Sequence, residues 1–160
     1  MADRLVSRIN CCLVFFIAST GWVEAMDRYY CAVDDAQLKL SVEASFKEEP
    51  RWPLASLRGV VVFKPEAPLV QKRSVKGAVR LELNDVIQSR HEDGRFQLRT
   101  SSVSGVDQDE TSIDIVFDVK MIGNDINRFA GTYDVTVRPK GNDNAAAAVE
   151  RDGVLNCKRF

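Results

Sequence analysis

The side chains equipped for chemistry are few and widely spaced. The chain has four cysteines and one histidine. Cys11 and Cys12 open an apolar run, whereas Cys31 and Cys157 stand alone near the two ends of the remaining chain. A structural zinc site needs about four ligands at short spacing, and a redox pair is normally Cys-x-x-Cys. Neither pattern is present. An even pair of cysteines in an exported chain forms a disulfide, so Cys31 and Cys157 are expected to be bonded. For so long a loop the lost unfolded-state entropy is worth roughly 4–5 kcal/mol.

His91 lies in Ser89-Arg90-His91-Glu92-Asp93-Gly94, just before a turn signal. A general base needs an orienting partner, and none can be named here, so His91 reads as an exposed turn residue. Serine hydrolysis has no Gly-x-Ser-x-Gly to rest on, and Ser104-Gly105 stands without supporting context. Paired carboxylates could serve a glycoside hydrolase, but spacing alone does not show which two face each other. Asp107-Gln108-Asp109-Glu110, Asn124-Asp125 and Asn142-Asp143-Asn144 offer oxygens to calcium. They lack the glycine and distal glutamate of an EF-hand loop, and turn chemistry accounts for them. No catalytic residue, metal ligand or cofactor is assigned. Trp52 sits in Pro50-Arg51-Trp52-Pro53, on a loop bearing Lys47, Glu48 and Glu49. Such a Trp either anchors a partner or folds over the end of a sheet. Arg51 and Trp52 are the candidate recognition residues.

The elements that must position these residues begin with a leader. Arg4 and Arg8 precede the apolar run at residues 11–18, and Val23, Glu24 and Ala25 suit a signal peptidase. Residues 1–25 therefore read as a signal peptide, with an uncleaved anchor as the alternative. Even extended to Val23, the run is shorter than the roughly 20 apolar residues that span a bilayer. Residues 26–160 are one domain, large enough to bury about two-thirds of its unfolded surface. Hydrophobic content is 45 %, charged content 28 % and net charge −1. That balance gives no broad drive towards nucleic acid. The short cluster Lys72, Arg73 and Lys76 reads as a solvated loop. No stable membrane insertion is expected once the leader is removed.

Along the domain, apolar and polar residues alternate with a period of two, the mark of half-wet strands. Leu38, Leu40, Val42, Ala44 and Phe46 form one dry face. Val79, Leu81 and Leu83 form another, as do Phe96 and Leu98; Ile113, Ile115, Phe117 and Val119; and Phe129, Gly131, Tyr133, Val135 and Val137. Val60-Val61-Val62-Phe63 is a continuous apolar run, either buried on both faces or covered by a loop. Asp93-Gly94, Gly123-Asn124 and Gly141-Asn142 supply turns. A last strand is expected around residues 147–157, with Asp152-Gly153 as a bulge or turn. Half-wet strands favour antiparallel pairing. The fold class is all-β: an antiparallel meander of about seven or eight strands, closed as a small barrel or sandwich. The disulfide makes its first and last strands neighbours.

Gly131-Thr132-Tyr133-Asp134-Val135 resembles the tyrosine-corner stretch of immunoglobulin-like sandwiches. The resemblance covers this stretch alone, Val135 stands where those domains have cysteine, and it names no family.

Three functional classes remain. The first is an exported, non-enzymatic binding module for a protein or small-ligand partner, in the periplasm or secreted. The second is a carrier of a small apolar ligand inside a barrel, towards which Ala44, Gly131 and Ala148 point as small inward residues. The third is a hydrolase.

Overall fold

A computed structural model describes residues 26–48, 53–65, 77–92, 94–105, 110–139 and 148–160. The strands are β1 (Met26–Asp34), β2 (Leu38–Lys47), β3 (Leu54–Phe63), β4 (Ala78–Glu82), β5 (Val86–Glu92), β6 (Arg95–Ser104), β7 (Thr111–Ile122), β8 (Asp125–Pro139) and β9 (Val149–Arg159). A 3-10 turn, Leu83–Asp85, separates β4 from β5. All nine strands join one antiparallel sheet in the order β4-β3-β2-β1-β9-β8-β7-β6-β5. This sheet is a nearly closed barrel.

Alternation explains both faces. The inward rows are Leu38, Leu40, Val42, Ala44 and Phe46 on β2, Ile113, Ile115, Phe117 and Val119 on β7, and Tyr133, Val135 and Val137 on β8, all buried. Outward positions are largely charged or polar. A transmembrane barrel has the reverse arrangement, with an apolar outer band. Among the described residues no helix is long and apolar enough to cross a membrane. Val60–Phe63 also alternates: Val61 and Phe63 point in, and Val62 is exposed.

Cys31 and Cys157 are bonded, directly opposite each other where β1 pairs β9. Met26 and Phe160 thus lie at one rim, here the terminal rim. The β1–β2 turn and the end of β3 lie at the far rim.

The registers also explain the strand count. β4 starts at the far rim, where Ala78 faces Val62, and ends with Glu82 facing Arg58 midway along β3. β5 then pairs with β6 from Val86, opposite Thr100, to Glu92, opposite Arg95 at the terminal rim. β4 and β5 are two halves of one crossing, bonded to different neighbours. The 3-10 turn makes the switch, with the Asp85 carboxylate accepting from the Glu82 N–H at 2.7 Å. Alternation predicts Leu83 inward; the turn ends the strand at Glu82 and leaves Leu83 44 % exposed. Asp152-Gly153 is neither bulge nor turn, because β9 runs through it. A Cβ on Gly153 would lie 2.5 Å from the Tyr133 ring, so glycine there makes room for the tyrosine.

Candidate functional site

The switch between β4 and β5 leaves a break in the wall. In β3, residues 54–57 pair with β2 on one side and, among the described residues, with no strand on the other. Among the described residues β5 likewise pairs with β6 alone. An unpaired strand edge is a template for another extended chain. Beside this break lies a groove of about 590 Å³, lined by Ser56, Leu57, Arg58, Gly59, Arg80 and Leu83 among others. Ile87 on β5 is 59 % exposed. Ser89 faces Leu98 across the β5–β6 pair, yet it is exposed although Leu98 is buried. The inner side of β5 is thus open to solvent above His91. Arg58 and Arg80 make no ion pair within 4 Å among the described residues, so the groove carries two cations beside Glu82.

Two polar clusters close the barrel ends. At the far rim, Asp35 accepts from the backbone N–H of Gln37 at 2.7 Å and of Leu38 at 3.0 Å, and from the Tyr133 hydroxyl. Burial works to raise the Asp35 pKa, but these hydrogen bonds and the Lys64 charge outweigh it and hold it below its ordinary value. Tyr133 is shifted up, by burial first and then by its bond to Asp35. Tyr133 therefore ties the middle of β8 to the β1–β2 turn and forms no corner.

At the terminal rim, the Tyr29 hydroxyl and His91 Nε2 share a hydrogen bond of 2.7 Å among the rings of Phe46, Phe96 and Phe129. Asp27, buried on the same strand as Tyr29, pairs with Arg159. Burial pushes the Tyr29 pKa up to about 12; the Asp27 charge adds to this and Arg159 offsets it. Burial lowers the His91 pKa, against the pull of Asp27. His91 is therefore not an exposed turn residue. The register of β5 on β6 sets His91 opposite the inward Phe96. None of these four polar side chains lines the groove at the break. They plug an end of the barrel.

The inner space is occupied by large side chains, with Tyr29, Tyr133, Phe46, Phe96 and Phe117 all fully buried. The space beside Gly131 is taken by the β7 backbone, since a Cβ there would meet the Asp118 carbonyl at 1.9 Å. Ala44 is buried among the core side chains. Arg51 and Trp52, the sequence-based recognition candidates, lie outside the described residues. So do the leader, the Lys72 cluster, residues 107–109 and residues 142–144. No group of His, Cys, Asp and Glu suited to a metal ion occurs among the described residues. The sequence carries a signal for the end of β4: Asn84-Asp85 are turn residues, and Glu82 with Asp85 forms a capping pair.

No family model, curated protein or solved structure matches the chain.

Proposed function

We propose that this domain is an exported, non-enzymatic binding module that takes an extended polypeptide segment into the break in its wall. The observation that carries the reading is the pair of strand edges, residues 54–57 and β5, that have no paired neighbour among the described residues and flank a groove with exposed apolar side chains at Leu83 and Ile87. Added strands gain affinity from main-chain hydrogen bonds and selectivity from alternate side-chain contacts. Arg58 and Arg80 favour a segment whose outward positions are acidic. The disulfide suits the periplasm or the outside of a cell.

The test is amide hydrogen exchange with a synthetic peptide of alternating valine and glutamate. Binding is expected to protect residues 54–57 and β5 and to leave β8 unchanged. Trp52→Ala is expected to lower peptide affinity with an unchanged melting temperature. Protection absent from both edges at saturating peptide would overturn the reading.

A further inference from the structure

A second surface, well away from the groove in strand order, has its own chemistry. On the outer face near the terminal rim, Arg128 of β8 stands directly opposite Lys158 of β9, which in turn stands opposite Tyr30 of β1. Like charges facing each other across a strand pair are destabilising. Arg128 and Lys158 are both exposed, and neither has an ion-pair partner among the described residues. Two residues further towards the rim come Ile126 and Phe160, 60 % and 68 % exposed. The Phe160 N–H bonds the Arg28 carbonyl, and Lys158 Nζ lies 5.8 Å from the Phe160 ring. Ile122 on the tip of the β7–β8 hairpin and Met26 at the start of β1 are exposed at the same rim. Aliphatic and aromatic side chains thus project beyond a pair of cations that have no carboxylate partner among the described residues.

We infer that the terminal rim of β8, β9 and β1 docks on an anionic phospholipid surface. Arg128 and Lys158 meet the headgroup phosphates, and Ile126, Phe160 and Met26 enter the boundary beneath them. Amphipathic surfaces of this composition bind membranes by combining apolar burial with roughly 1 kcal/mol per cation. The aliphatic tips argue for lipid over nucleic acid, since isoleucine offers no face for base stacking.

The experiment is co-sedimentation of the full chain with phosphatidylcholine vesicles, with and without phosphatidylglycerol. Binding is expected only to the anionic vesicles and to weaken as salt rises. The pair Arg128→Gln and Lys158→Gln should weaken it at least about tenfold. Ile126→Ser with Phe160→Ser should weaken it comparably, whereas Val62→Ser with Val103→Ser, exposed elsewhere, should leave it unchanged. All of these positions are exposed, and circular dichroism confirms folding. Equal binding by parent and rim variants overturns the inference, as does equal binding to neutral vesicles. A single-stranded oligonucleotide that displaces the vesicles also overturns it. The groove peptide is expected to bind these variants normally, which keeps this result separate from the proposed function.

Discussion

The barrel wall has two joins, and they are built in opposite ways. Where β1 meets β9, the two ends of the domain pair over residues 29–32 and are bonded at Cys31–Cys157. Where β4 hands over to β5, the chain is continuous, yet the strands on either side of it do not close. The difference teaches where this domain needs help. Chain ends fray unless tied, so the covalent link falls at the terminal join. A continuous segment cannot drift apart, so the second join can stay open and offer its edges.

The strongest way to break this contrast is to cut the sulfur bond. Cys31→Ala with Cys157→Ala is expected to lower unfolding free energy by about 4 kcal/mol, read as a lower urea midpoint. An unchanged midpoint would mean that strand pairing alone holds the terminal join. Next in size is Gly59→Val, beside the handover, where Gly59 pairs with both Val42 and Leu81. A Cβ there lies 2.4 Å from the Val42 side chain and 3.0 Å from the Ser41 carbonyl. Overpacking of this kind costs about 1–3 kcal/mol. A neutral result would show that the open side gives way.

A smaller effect concerns the bond between the two sides, His91 of β5 to Tyr29 of β1. Burial holds the folded His91 pKa below 6.5, so the unfolded chain binds the proton more readily. Stability is therefore full above pH 6.5 and falls as pH drops below it towards the lowered value. Since the sequence has one histidine, His91→Gln should flatten the melting temperature between about pH 5 and 6.5, above the main carboxylate range. Persistence of the slope in that variant would assign it elsewhere. The smallest expected change in stability is for Leu83→Ser with Ile87→Ser, within about 0.5 kcal/mol because both are exposed. The same pair should reduce peptide uptake at the groove. Loss of stability instead would mean that these side chains help hold the break together.

Much of the fold was legible because the inward rows recur with a period of two along β2, β7 and β8, the buried Ser45 beside the β2–β3 register shift being an exception. The disulfide came from counting cysteines. The break was missed because Val79, Leu81 and Leu83 continue the same period, and the local turn at Leu83–Asp85 overrides it. His91 was misread from its nearness to a turn. A two-residue hairpin loop fixes register, and counting back from Phe96 would have placed the histidine indoors. The groove itself could not be read: it arises from two strands failing to meet across the barrel, and no stretch of local sequence records that. The cation pair Arg128 and Lys158 lies thirty positions apart in the chain and becomes a pair only through the β8–β9 register.

The cyclic order of the sheet bears on how the molecule is made. In synthesis from the N-terminus β1 precedes β2, which can pair with it at once through the short turn at Asp35. The opposite flank of β1 awaits the last segment to arrive. Until then a row of amides next to Tyr30 remains unmatched and the Cys31 thiol stays unoxidised. The native partner of that thiol comes only with β9, so the Cys31–Cys157 bond cannot close before the last strand is made.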